Sequence, residues 1–203
     1  MRYTWPKFKL CRREWINLFW PWKYDVKKNR KLPGQHGDKI PRLSEYGKLL
    51  RNKQVLKRIY QMTEKQFKRF VTEISAKYSR SAGIDHDKAV KVILERRLDA
   101  VLYRSWIAKT IIQARQMITH WHFLLNGKKH NIPSYLVKPW DVIELREKLK
   151  SSELYSWIDS NSKTPSHIKV NLKDKKIEVK DMPIHEEINL PVDVLKVIEF
   201  YAR

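Results

Sequence analysis

Between His120 and Phe123 the spacing of apolar residues changes from a helical period to a period of two, and this switch divides what the chain can fold into. Upstream, Phe67, Phe70, Val71, Ile74 and Tyr78 fall at i, i+3, i+4, i+7 and i+11, one face of an amphipathic helix. Thr63-Glu64-Lys65-Gln66 precedes them as a capping box, the Thr63 side chain accepting from the Gln66 N–H while Gln66 reaches back. Tyr46, Leu49, Leu50, Leu56, Ile59 and Tyr60 predict a helix starting at Ser44, with Lys48, Arg51, Lys53, Lys57 and Arg58 over the rest of its surface. Asp85 caps a third helix running to about Ser105, with Val90, Ile93, Leu94, Leu98, Val101 and Leu102 inward. Thr110 to Gln113 repeats the start signal for a short helix ending near His120.

Downstream, Phe123 to Leu125, Asn126-Gly127 and Lys128 to Ile132 predict a tight hairpin, because Asn-Gly supplies the positive φ angles that such turns require. Tyr135 to Val137 and Val142 to Leu145 read as short strands around the turn Pro139-Trp140-Asp141. Residues 147–160 fit a helix, and Ile168, Val170 and Leu172 alternate with Ile177 and Val179 around Lys173-Asp174-Lys175 as a further hairpin. Val192 to Tyr201 fits a helix or a strand. Residues 1–43 are basic, aromatic and without sustained period, and read as an extended arm whose Leu32-Pro33-Gly34-Gln35-His36-Gly37 stretch is a turn-rich loop. The expected fold class is α+β: a mostly helical N-terminal domain with a basic arm, and a smaller module of two helices and an antiparallel sheet.

Charge narrows the partner. Lys and Arg total 43 against 22 Asp and Glu, a formal charge of +21 over 203 residues, which points to a polyanion. An apolar content of 42% is too high for a disordered basic tail. Cys11 is the only cysteine, which excludes an intramolecular disulfide and a multi-thiolate zinc site and suits a reducing compartment. No apolar run approaches the ~20 residues of a membrane span, and MRYTWPKFKLCRREW lacks the apolar core of a signal peptide, so neither membrane nor export is expected.

Several segments carry a family resemblance. Arg97-Leu98-Asp99-Ala100-Val101-Leu102-Tyr103-Arg104, Ala114-Arg115-Gln116-Met117-Ile118-Thr119-His120, Phe123 to Gly127 and Asn131-Ile132-Pro133-Ser134-Tyr135 resemble the S-four RNA-binding domain. Arg2-Tyr3-Thr4, Arg12-Arg13-Glu14, Pro33-Gly34-Gln35-His36-Gly37, Pro41-Arg42-Leu43-Ser44-Glu45-Tyr46-Gly47, Lys53-Gln54, Arg58-Ile59-Tyr60 and Val197-Ile198-Glu199-Phe200-Tyr201 extend it to the bacterial-type ribosomal protein S-four family over nearly the whole chain. The resemblance implies an arm over 1–43, a helical domain over 44–94 completed by 155–203, and an inserted S-four domain over 95–154.

It also implies a structural constituent of the small ribosomal subunit, in the cytoplasm or an organelle. Such a protein is a primary rRNA binder that nucleates assembly at a multi-helix junction in the 5′ domain. It contacts ribosomal protein S-five, and with it contributes to the path by which mRNA enters and to decoding accuracy. No cofactor and no small-molecule substrate is implied. Repression of its own operon does not transfer by resemblance.

Carried over by position, the rRNA-binding candidates are Arg12, Arg13, Gln35, His36, Arg42, Arg51, Lys53, Gln54, Lys57 and Arg58 in the first half. Arg97, Arg104, Arg115, Gln116, His120, Asn126 and Lys128 complete them. Arginine suits bidentate phosphate contact, and Gln and Asn bridge to ribose or base edges. Structural uses compete: Arg97 can pair with Asp99 or Glu95, Asn126-Gly127 is first a turn, and His120 and His122 flank another. Lys48, Lys65 and Lys68 read as solvated helix faces. Some relatives carry a four-cysteine zinc site in the arm, but here Phe8 stands at the first position of the Cys-x-x-Cys pair and Cys11 at the second, so no zinc is expected.

Arg97-Leu98-Asp99 also resembles the catalytic triplet of pseudouridine synthases, in which the Asp is the nucleophile. There the triplet lies in a large separate catalytic domain, whereas only about one hundred residues follow Asp99 here, so an enzyme is not expected. A stand-alone stress-response S-four protein is shorter and lacks the N-terminal region.

One imbalance is left over. The chain has eight Trp and five Gly, where average usage predicts about fourteen Gly. Trp5, Trp15, Trp106, Trp121 and Trp140 fall where the family pattern has glycine. Pro139-Trp140-Asp141 in particular predicts a type II turn whose third residue needs positive φ. UGA codons inserted as glycine but written as tryptophan would leave this signature, and real aromatic substitution for base stacking is the alternative.

Overall fold

The computed structural model describes residues 6–19, 26, 31–39, 42–155, 164–171 and 174–202. In chain order the elements are α1 (Lys7–Glu14), α2 (Glu45–Ile59), α3 (Glu64–Arg69), a π-turn (Phe70–Ile74), α4 (Ser75–Ala82), α5 (His86–Glu95), α6 (Leu98–Arg104) and α7 (Ile111–Thr119). They continue as β1 (Phe123–Leu125), β2 (Lys128–Lys129), β3 (Val142–Leu145), α8 (Glu147–Lys150), a 3-10 turn (Glu153–Tyr155), β4 (Ile168–Asn171), β5 (Lys176–Val179) and α9 (Val194–Ala202). The chain is α+β, and its elements gather into two units, 1–87 with 190–203, and 88–189.

In the first unit the start signals work as local chemistry. Ser44 Oγ accepts from the Gly47 N–H at 3.2 Å, and the Thr63–Gln66 capping box forms in both directions at 3.4 Å. The helix it opens buries Phe67, Phe70 and Val71, but the π-turn adds a residue to the ladder and rotates the residues downstream of it. Ser75 therefore takes the buried place, its hydroxyl donating to Val71 O and lying 2.9 Å from His86 Nε2, while Ile74 and Tyr78 are half-buried. The C-terminal segment that periodicity left open is helix α9, which buries Val194 and Val197 and packs on α2.

Within the arm, Lys7–Glu14 is helical where an extended chain was expected. Its stability is tertiary: Cys11 is fully buried, and Arg12 ties the succeeding loop by donating from Nε to Lys31 O (2.8 Å) and from Nη2 to Leu32 O (3.1 Å). In that loop the Leu32 N–H donates to Gly37 O, and a Cβ on Gly37 would collide with Leu32 O, so only glycine closes it.

The second unit is a five-stranded antiparallel sheet of order β2-β1-β3-β5-β4. Phe123, Leu125, Ile143, Leu145, Ile168, Ile177 and Val179 form one core with Leu98, Val101 and Leu102 of α6 and Ala114, Met117 and Ile118 of α7. Asn126 (φ +48°) and Gly127 (φ +77°) turn the β1–β2 hairpin as the sequence predicts.

Four expectations change. The predicted helix from Asp85 to Ser105 breaks at Arg96-Arg97, because residues 133–137 pair there: Leu98 N–H donates to Tyr135 O, Asp99 N–H to Pro133 O and Val137 N–H to Arg96 O. Tyr135–Val137 contributes only the isolated bridge Arg97↔Leu136 instead of a strand. Register along β3–β5 (Val142↔Glu178, Ile143↔Ile177, Glu144↔Lys176) places the second hairpin in this sheet, whereas the family resemblance grouped it with the helical domain. Of the helix expected over 147–160, Glu147–Lys150 is helical, and 156–160 lie outside the described residues.

Candidate nucleic-acid interface

Four carboxylates organise the basic side chains. Glu14, at the end of α1 with its side chain 3% exposed, accepts from Arg51 Nη1 (3.1 Å) and Arg58 Nη1 (2.6 Å), which α2 presents two turns apart. Glu64, in the first turn of α3, accepts from Lys53 Nζ (2.7 Å), Lys57 Nζ (2.9 Å) and the Tyr201 hydroxyl (2.9 Å). Lys53 is buried, and its ammonium also sits 4.4 Å from the Phe200 ring centroid, a cation–π contact.

In the second unit Asp99 is fully buried and takes a bidentate pair from Arg97, Nε to Oδ1 at 3.0 Å and Nη2 to Oδ2 at 2.7 Å, plus the Ala100 N–H. Arg115 Nη1 lies 3.7 Å from the same carboxylate, and burial lowers its pKa from the ordinary value while Asp99 opposes the shift. Glu95 receives the Arg104 guanidinium at 2.7 and 2.9 Å.

These contacts hold seven of the candidates, and they sort them by depth. Arg97 is buried and donates to Asp99, the structural use that the sequence offered. Lys53 is likewise turned inward on Glu64. Arg51, Arg104 and Arg115 keep about a third of their side chains exposed while each is paired with a carboxylate. Lys57 and Arg58 are more covered.

Asn126 is exposed but engaged in hydrogen bonds: its Oδ1 accepts from the Val142 N–H and its Nδ2 donates to Asp141 Oδ1, both at 2.8 Å. Arg12 is engaged on the loop carbonyls, and Gln54 is half-buried. Arg13, Gln35, His36, Arg42, Gln116, His120 and Lys128 are exposed. Arg13, Gln35, His36 and Arg51 line one open cleft of about 630 Å³, with Lys39 and Trp15. Gln116 lies on α7 with His120 one turn further on at its C-cap, and Lys128 lies on the hairpin.

Of the organising carboxylates, Asp99 was offered by the sequence as a partner for Arg97, whereas Glu14 and Glu64 were missed. Their signals were present: an acid within Arg12-Arg13-Glu14, and one in the first turn after the Thr63 cap.

Burial alone would raise the Glu64 carboxyl, but hydrogen bonds from Lys53, Lys57 and Tyr201 hold it at about 2, below the ordinary 4.5. A pKa lowered on folding stabilises the protein above the unfolded value and loses that contribution as pH falls through the folded one. Thermal melts should therefore show a loss of stability between pH 4.5 and about 2 that is smaller in Glu64→Gln. Equal acid profiles would refute the assignment.

Among the described residues, no group of three or more His, Cys, Asp and Glu is placed to hold a metal ion. None of the described helices is long and apolar enough to cross a membrane.

Residues 2–95 match the family model "Ribosomal protein S4/S9 N-terminal domain" and residues 96–143 match the "S4 domain", the pairing of a ribosomal protein with an S4 module. The chain is 43% identical over 212 residues to small ribosomal subunit protein uS4 of Thermotoga petrophila, covering 100% of this chain and 99% of that protein. It is 38% identical over 209 residues to uS4 of Thermoanaerobacter pseudethanolicus and 37% over 209 residues to uS4A of Clostridium botulinum, each with 100% of this chain and 99% of the relative covered. The chain belongs to the uS4 family of small ribosomal subunit proteins.

Proposed function

We propose that this chain is a primary rRNA-binding protein that nucleates small-subunit assembly by gripping a multi-helix junction in the 5′ domain of the rRNA. The observation that supports the reading is the carboxylate-paired arginines of each unit: Glu14 and Glu95 hold Arg51 and Arg104, Asp99 lies 3.7 Å from Arg115, and each of the three side chains stays about one third exposed. A guanidinium already held in place loses less side-chain entropy when a phosphate arrives. Close-packed phosphates of a junction repel one another, and such groups neutralise them.

In this reading Arg13, Gln35, His36 and Arg42 contact rRNA from the helical unit, and Gln116, His120 and Lys128 from the S4 module. Arg51, Arg104 and Arg115 present their outer edges. The protein acts in the cytoplasm within the small subunit, touches ribosomal protein S-five, and helps form the path by which mRNA enters, supporting decoding accuracy. The chain is not an enzyme in this reading: both oxygens of Asp99, the residue of the pseudouridine synthase resemblance, accept from Arg97 in the core.

Chemical footprinting on small-subunit rRNA tests the proposal. Protection focused on the 5′-domain junction is expected, and protection scattered over the RNA would refute it.

A further inference from the structure

Seven non-glycine residues among those described have φ between +48° and +69°, and four of them are Trp15 (+57°), Trp106 (+60°), Trp121 (+61°) and Trp140 (+69°). These four are every tryptophan that the described residues contain; Trp5, Trp20, Trp22 and Trp157 lie outside them. The other three are Gln61, Asn126 and Lys175. A positive φ occurs in a few per cent of non-glycine residues and is least tolerated by bulky ones, so four out of four by chance is of order 10⁻⁶.

Each position performs a backbone task that glycine performs. Trp15 follows α1 with φ +57° and ψ +24°, its own N–H and that of Ile16 both reaching Cys11 O. Gly83 closes α4 in the same way, with φ +65° and ψ +29°, its own N–H and that of Ile84 both reaching Ser79 O. The chain thus uses one helix ending twice, once with glycine and once with tryptophan.

After α7, the Trp121 N–H donates to Ile118 O and the His122 N–H to Met117 O, the paired bonds of a Schellman ending whose left-handed residue is Trp121. The Trp106 N–H donates to Tyr103 O just beyond α6. Lys138 to Asp141 is a turn closed by the Asp141 N–H on Lys138 O, with Pro139 second and Trp140 third, where a type II turn calls for glycine. The four residues are 41% to 82% exposed, so the core does not require them.

We infer that Trp15, Trp106, Trp121 and Trp140 are glycines in the protein that the cell makes, their codons being UGA inserted as glycine and written as tryptophan. Base pairing then requires a glycine-charged tRNA whose anticodon is complementary to UGA. Rings chosen for base stacking would be selected by where they face the nucleic acid, not by the sign of φ. Glycine at position 15 has a consequence for the interface. The cleft shared by Arg13, Gln35 and Arg51 loses an aromatic wall, and its backbone becomes open to close approach by a phosphate.

Peptide mass spectrometry of the protein taken from its native ribosomes, read beside the codons of the gene, tests this. Glycine at the four positions, each encoded by UGA, is expected. Intact tryptophan at 106 and 140, or UGG codons there, would overturn it. In recombinant protein made with tryptophan, Trp121→Gly and Trp140→Gly should each raise Tm by ~2–4 °C. Trp121→Ala and Trp140→Ala, which keep a Cβ at positive φ, should not, and equal gains from alanine and glycine would remove the backbone ground for the inference.

Discussion

Asp99→Asn should lower the melting temperature of the second unit more than any other single substitution at the basic surface. The Arg97 guanidinium is 3% exposed and its counter-ion fully buried, so an amide removes the carboxylate charge that faces it in the core. Breaking a buried pair in this way costs about 3–5 kcal/mol, a large part of a stability that is ordinarily ~5–15 kcal/mol. For a unit of about one hundred residues that corresponds to a fall of roughly 12–20 °C in calorimetry of the full chain. Removing both charges together, Arg97→Met with Asp99→Leu, should recover most of the loss, since a buried pair is worth little more than well-packed apolar residues. The double variant also separates two roles for Asp99. A structural pair predicts that rRNA binding returns with the fold, whereas a direct phosphate contact by Arg97 predicts a refolded protein that still binds weakly.

The same pair shows where sequence reading reached its limit. Local signals were legible because their partners are close in the chain: the Thr63 capping box, the Asn126-Gly127 turn and the strands Phe123–Leu125 and Val142–Leu145 form as predicted. The break at Arg96-Arg97 was not, because nothing in that helical pattern announces that Tyr135 and Val137 will take over its backbone hydrogen bonds. Helix α1 was hidden for a similar reason. Its short basic sequence has little intrinsic stability, and what holds it is the burial of Cys11 together with Glu14 meeting Arg51 and Arg58 of α2. For the site, residue type and family position identified a basic surface, but not which cations face outward. That depends on where four carboxylates lie, and a pairing between residues 44 positions apart, as in Glu14 with Arg58, leaves no periodic trace.

Affinity for small-subunit rRNA should fall by about 10³–10⁵ between roughly 50 and 200 mM salt if about six to ten phosphates are neutralised. Depth within the carboxylate network decides which residues contribute to that slope. Arg13 is exposed on the cleft it shares with Gln35 and His36, and a phosphate there releases its counterion. Arg13→Ala should therefore weaken binding across RNA sequences alike and reduce the slope of log K against log salt by about one. Lys53 is turned onto Glu64 and the Phe200 ring, so its charge is already compensated within the protein. Lys53→Met should cost stability and leave the slope unchanged. Titrations of both variants over the same salt range make the comparison direct, because a contact to phosphate changes the slope whereas an internal ion pair changes only the fraction of protein that is folded. Equal slopes for Arg13→Ala and the unsubstituted chain would remove the cleft from the interface. A reduced slope for Lys53→Met would mean that Lys53 leaves Glu64 when RNA binds, and that the carboxylate network opens on binding and does not hold its cations fixed.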